Sequence, residues 1–271
     1  MVGALWAPTM PAPHARLHAV TSPRVSPGLD GVRVGHLSDI HVRGGVHPRA
    51  LHHAVERLNA LQPDVVLLTG DYVCLSAGPL PRLTEALRKL AAPAWAVLGN
   101  HDHWAGAHRV RRGLEAAGVE VLRNEYREVS VRGAALHLVG VDDPVTGRAD
   151  AARAFAGVPP GATALCLVHA PRALAAVAPH APALVLCGHT HGGQLYVRGL
   201  TPWLSARLGV PHLAGLFHVD GAWLYVSRGL GASVPVRLGA PREFACLTLR
   251  SAQPSTSGTG SSGGLAPLAG L

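Results

Sequence analysis

Residues 32–71, VRVGHLSDIHVRGGVHPRALHHAVERLNALQPDVVLLTGD, read as strand, helix, strand. Val32–Ser38 and Asp64–Thr69 are short apolar runs rich in β-branched side chains, the signature of strands buried on both faces. Between them Pro48–Leu61 opens on a proline, carries apolar residues at helical spacing and stops before Pro63. Both strands end in polar groups: Asp39-Ile40-His41 after the first, Gly70-Asp71 after the second. Outward from this unit the alternation continues. Strands are expected at Ala94–Leu98, Val119–Leu122, Glu128–Val131, Ala135–Val141, Ala164–Val168, Ala183–Cys187, Ala222–Ser227 and Phe244–Leu249, and helices at Leu80–Leu90, Ala107–Ala117 and Pro171–Ala178. Arg132-Gly133 marks a hairpin turn between two of the strands. Crossover units and hairpins together give an α/β fold with mixed sheets packed on each other and helices outside.

Composition sets the limits. The chain has 271 residues, 48% apolar and 15% charged, which suits a sizeable core and excludes a disordered chain. The formal charge of +8 is carried by scattered arginines with a single lysine, Lys89, and aromatic residues are 4%, so neither a basic arm nor a stacking surface for nucleic acid is expected. The charge favours an anionic substrate or membrane surface, or serves solubility. Cys74, Cys166, Cys187 and Cys246 are far apart, three of them in apolar runs, and read as reduced, buried thiols. No apolar run is long enough for a transmembrane helix, and the proline-containing start is a poor secretory signal, so a cytoplasmic location, free or peripheral to the membrane, is expected. Residues 1–29, rich in proline, read as a flexible segment, 30–250 as one domain, and the Ser/Gly/Pro stretch 251–271 as a disordered tail.

The chemistry lies where strands end. Asp39 and His41, Asp71, Gly99-Asn100-His101-Asp102, His169, and Gly188-His189-Thr190-His191 follow five successive apolar runs and collect at one edge of the sheets, where α/β folds place their ligands. Carboxylates, neutral imidazoles and an amide oxygen suit divalent cations. In Asp39-x-His41 and His189-x-His191 an extended backbone points both side chains of each pair at one site. A lone histidine after a strand is usually an ordinary side chain, and His36, His103 and His137 are left as such. Five polar clusters at five strand ends are another matter.

The order D-x-H, G-D, G-N-H-D, H, G-H-x-H resembles the calcineurin-like metallophosphoesterase superfamily over about Val32–Leu249. HLSDIH, PDVVLLTGD, AVLGNHD, CGHTHGGQ and LYVSRGLG are similar to its bacterial branch of YkuE- and YaeI-type phosphodiesterases and UDP-2,3-diacylglucosamine pyrophosphatases. The resemblance implies a four-layer αββα sandwich of two mixed sheets. It implies two divalent metal ions, Mn, Fe, Zn or similar, one held by Asp39, His41 and His191, the other by Asn100, His169 and His189, with Asp71 bridging. A hydroxide bridging the metals is then expected to attack phosphorus, with His101, not itself a ligand, facing the scissile phosphate. Asp102 either orients His101 or serves the turn. Arg228, in the LYVSRGLG string, either reaches a phosphate or caps a strand end. Tyr196–Phe217 forms a lid, a membrane-touching face for a lipid substrate, or a plain packed connection. The activity expected is hydrolysis of a phosphodiester or pyrophosphate in a small or lipid-linked compound. A phosphomonoesterase or phosphoprotein phosphatase is the alternative, and a non-catalytic metal-binding scaffold the alternative of another class.

Overall fold

The structure, a computed structural model, describes residues 12–43, 48–234 and 236–252. Among the described residues, twelve strands form two six-stranded mixed sheets. In the first, β1 (His14–Ser22), β12 (Glu243–Ser251), β2 (Arg33–Leu37), β3 (Val65–Thr69), β4 (Ala94–Val97) and β5 (Val119–Val121) lie in that order. In the second the order is β10 (Gly215–Val219), β11 (Ala222–Val226), β9 (Leu184–Cys187), β8 (Ala164–Leu167), β7 (Ala134–Gly140) and β6 (Glu125–Val131).

The strands are apolar throughout because both faces are covered. On β3, Val65 and Leu67 point into the core between the sheets, where they join Leu138, Leu165 and Leu186. Val66 and Leu68 point the other way, under α1 (Arg49–Ala60), α2 (Leu80–Leu87) and α3 (Asn100–Glu115). A third core packs β7, β8, β9 and β11 against α4 (Ala151–Phe155) and α5 (Leu174–Val177). Helices, sheet, sheet, helices is the four-layer α/β sandwich expected. Parallel pairing of β2, β3 and β4 and of β7, β8 and β9 brings the carboxyl ends of these strands to one edge.

Four features depart from the sequence reading. The segment 1–29, expected to be flexible, contains β1, which pairs in parallel with β12 at the sheet edge, while residues 1–11 lie outside the described residues. At the other end β12 runs through Ser251, and 253–271 lie outside the described residues. Helix α3 begins at Asn100, seven residues before the expected Ala107, and breaks at Gly106 (φ 110°). β10, α4 and α6 (Leu200–Arg207) were not foreseen. The hairpin stands as expected: Val131 pairs with Ala134 around Arg132 and Gly133, both at positive φ, the two-residue turn that matches strand twist.

His36, on β2, is fully buried against Thr69, with Nε2 2.8 Å from Oγ1, and burial lowers its pKa from 6.5 to about 4. The unfolded chain therefore binds this proton below pH 6.5 and the folded chain only near pH 4, so stability rises with pH across that window. The side chain is expected to contribute about 3 kcal/mol of pH-dependent stability. Urea unfolding from pH 4 to 7 checks this: the loss seen on acidification should be markedly smaller in His36→Gln, and parallel profiles would contradict it.

Candidate metal centre

At the shared edge the chain leaves β2, β3 and β9 in loops, not in continued strands. Asp39, His41, Asp71, His189 and His191 all have positive φ, between 46° and 70°. The extended backbone expected for the two D-x-H and H-x-H pairs is therefore absent. Left-handed residues fold each pair inward instead, a conformation costly for non-glycine residues and typical of functional sites. Main-chain bonds hold the loops in place: Asp39 and His41 N–H donate to the carbonyls of Gly70 and Asp71 at 3.0 and 2.9 Å. Two glycines permit the close approach. A Cβ on Gly99 would strike the Asp71 carboxylate and one on Gly188 would strike Ser38 and Asp39, so neither position accepts a side chain.

Three trios of potential ligand atoms converge, each within 4.8 Å: Asp39, His41 and His191; Asp71, His169 and His189; and His41, Asp71 and His101. His41 Nε2 lies 3.2 Å from His191 Nε2 and 3.5 Å from Asp71 Oδ2. His169 Nε2 lies 3.3 Å from Asp71 Oδ2 and 3.2 Å from His189 Nδ1. Asp71 thus stands between the two groups. Asn100 is buried, and its Oδ1 has no hydrogen-bond partner. A buried acceptor left unpaired is uncommon and calls for a donor or a cation.

Protonation supports the same reading. His169 Nδ1 donates to the Thr69 carbonyl at 2.7 Å, which turns Nε2 toward the carboxylates. Burial alone would lower its pKa, but Asp71 and Asp39 outweigh burial and raise it to about 10. Burial dominates at His41, pushing it down to about 3, and lowers His189 and His191 as well. Asp39 and Asp71 resist burial because the surrounding imidazoles hold them below the usual carboxylate range. Two buried carboxylates thus demand positive charge beside them, which a proton on His169 supplies in the free chain and a cation can replace. The donor set fits divalent metal.

The structure settles the neighbours too. His101 Nδ1 donates to the Cys74 carbonyl at 2.7 Å, and its N–H donates to Asp71 Oδ1 at 2.9 Å. The ring lines a cavity of about 250 Å³ with Val42, Arg43, Cys74 and Pro79. Asp102 does not touch that ring. Its carboxylate accepts the N–H groups of Gly99, Asp71 and Tyr72 at 2.8–2.9 Å, closing the first turn of α3 and pinning the loop that carries Asp71. Of the two roles open for Asp102, the turn is the one built. Burial and the Asp71 charge raise its pKa to about 7, against the pull of these donors. Arg228 Nη1 lies 2.6 Å from the buried Glu243 Oε2, and its backbone N–H donates to Oε1 at 3.1 Å, which ties Arg228 to the start of β12.

Arg237 was not singled out from sequence. It is half-buried, and its Nη2 donates to His191 Nδ1 at 3.1 Å and to the carbonyls of Arg228 and Gly231. If His191 binds a cation through Nε2, its proton moves to Nδ1; Arg237 then loses this one contact and keeps its carbonyls. Nothing in the spacing of a lone arginine 46 residues beyond His191 signals this contact.

Comparison with known proteins agrees with this geometry. The calcineurin-like phosphoesterase family profile matches residues 32–193. YkuE of Bacillus subtilis, an uncharacterized metallophosphoesterase, is 29% identical, over 86% of this chain and 84% of its own. The phosphodiesterase YaeI of Escherichia coli is 30% identical, over 79% of this chain and 80% of its own. LpxG of Chlamydia trachomatis, a UDP-2,3-diacylglucosamine pyrophosphatase, is 27% identical, over 81% of this chain and 83% of its own. With most of the domain matched and a histidine and carboxylate cluster suited to metal at its centre, the chain belongs to the calcineurin-like phosphoesterase family, hydrolases of phosphoester bonds.

Proposed function

We propose that the chain hydrolyses a phosphodiester or pyrophosphate bond in a small or lipid-linked phosphate compound, at a centre holding two divalent metal ions. Asp39, His41 and His191 hold one ion, Asn100, His169 and His189 the other, and Asp71 serves both. The observation that carries this reading is the position of Asp71, whose Oδ2 is 3.5 Å from His41 and 3.3 Å from His169. When bound, such ions supply Lewis acidity to phosphate oxygens and acidify water. The protein's own groups do the rest. The cavity beside His101 admits the leaving group, and His101, fixed by the Cys74 carbonyl and lining that cavity, stabilises or protonates the departing oxygen.

YaeI, a phosphodiesterase, and LpxG, a pyrophosphatase of a diacylated sugar nucleotide, support a diester or anhydride over a monoester. Four free, buried cysteines support a reducing, cytoplasmic setting. Bis-4-nitrophenyl phosphate is expected to be hydrolysed with Mn²⁺, to be untouched with chelator, and to be preferred over 4-nitrophenyl phosphate. Chelation should also lower the melting temperature, because a ligand bound only to the folded chain stabilises it. Preference for the monoester would overturn the substrate reading. Inactivity on both with every divalent metal would favour a scaffold.

A further inference from the structure

Water-facing apolar side chains gather on one side of the metal centre. Among the described residues twelve large hydrophobic side chains are exposed, and nine of them lie in 195–208 and 234–238. The two segments form one surface. Tyr196 N–H donates to the Leu238 carbonyl at 2.7 Å, Leu238 N–H donates to the Gln194 carbonyl at 2.9 Å, and Thr201 at the start of α6 bonds back to Val197. The surface is continuous with the site, since His191–Gly193 leads directly into Gln194 and Arg237 lies between Val236 and Leu238.

α6 is the informative element. It has no buried residue, yet Leu200, Trp203 and Leu204 are 56%, 55% and 48% exposed, with Leu208 at 72% just beyond. A helix standing in water is ordinarily polar, and a contiguous apolar surface of this kind marks a docking face. The charge within the two segments has one sign. Residues 195–208 and 234–238 contain three arginines and no carboxylate, and Arg198 and Arg207 are exposed on this face, with Arg207 over the Trp203 ring at 4.6 Å. Two copies meeting symmetrically here would bring arginine against arginine with no carboxylate to pair them. An apolar strip with a tryptophan, bordered by arginines, matches the boundary of an anionic bilayer.

We propose that this face docks on an anionic lipid surface, setting the metal centre at headgroup level. The docking stands on the surface alone; that it presents a lipid-linked phosphate to the centre rests on the function proposed above. The test is co-sedimentation of the full chain with phosphatidylcholine vesicles, with and without phosphatidylglycerol, in the absence of substrate. Binding is expected only with phosphatidylglycerol and should weaken as salt rises. Trp203→Ser/Leu204→Ser/Leu208→Ser and Arg198→Glu/Arg207→Glu should each lower partitioning by roughly tenfold or more, leaving hydrolysis of a water-soluble diester unchanged. Equal binding to both vesicles, no binding to either, or a dimer in light scattering that the serine variant abolishes would overturn the proposal. If a variant fails to fold, the wild-type comparison of the two vesicles still decides, and because vesicle binding is read without turnover its failure is separable from failure of the enzymatic reading.

Discussion

Asp71→Asn is expected to lower kcat/KM by roughly 10³-fold or more and to lower the melting temperature of the metal-free chain. The side chain has two duties, and the amide keeps only one of them. Oδ1 accepts the His101 N–H at 2.9 Å, and an amide oxygen of the same shape continues to do so. Oδ2 places negative charge between His41 and His169 at 3.5 and 3.3 Å, and an amide cannot. In the free chain that charge is held by the His169 and His41 imidazoles, which outweigh burial and the like charge of Asp39 and keep the Asp71 carboxyl below the usual range. Losing it breaks a buried pair, and His169, no longer held by Asp71, gives up its proton more readily. Binding of cations is expected to suffer most, because the group proposed to serve both ions has gone. Metal analysis after dialysis should therefore find about one ion per chain or fewer where the wild type holds about two. A variant that retains two ions and activity within tenfold would show that Asp71 is not shared.

The difference between what was legible and what was not follows from the kind of force involved. All seven candidate ligands stand out in sequence because metal chemistry demands particular residue types and the strands before them are apolar on both faces. β3 illustrates this, with Val65 and Leu67 facing one core and Val66 and Leu68 another. β1 was hidden for the opposite reason. Its inward side chains include Arg16, His18 and Val20, while Leu17 is 64% exposed, so the apolar alternation points the wrong way. What holds β1 is remote: Arg16 Nε meets Glu243 at 3.1 Å and the His18 ring lies 5.4 Å from Tyr225. The same buried Glu243 accepts from Tyr225 and Arg228, so one carboxylate joins the edge strand to the motif LYVSRGLG. α6 escaped because a helix without a buried side has no period to detect. The loop geometry escaped because left-handed φ at Asp39, His41 and His191 is imposed by packing from β3 and β9, not by their own identity.

His101→Gln is expected to reduce kcat by about 10²- to 10⁴-fold, with KM and metal content little changed. Its backbone N–H continues to hold Asp71 Oδ1, so the helix start and the metal trios survive the substitution. What is lost is the ring, whose Nδ1–H is committed to the Cys74 carbonyl at 2.7 Å and which lines the cavity proposed to receive the leaving group. The ring packs edge-on against His41 at 4.9 Å and against Trp104 at 4.9 Å, which leaves little freedom to turn. Such fixing is what a group acting at one oxygen requires. The choice between its two possible tasks can be read from the leaving group. If Nε2 delivers a proton to the departing oxygen, the penalty is large for a diester that expels an alkyl alcohol and small for one that expels 4-nitrophenolate, which needs no proton. If the ring only stabilises charge on the phosphate oxygens, the penalty is the same for both. Equal and near-wild-type rates on both substrates would remove His101 from the reaction. A parallel loss of bound metal would place it among the ligands instead, as the trio it forms with His41 and Asp71 allows.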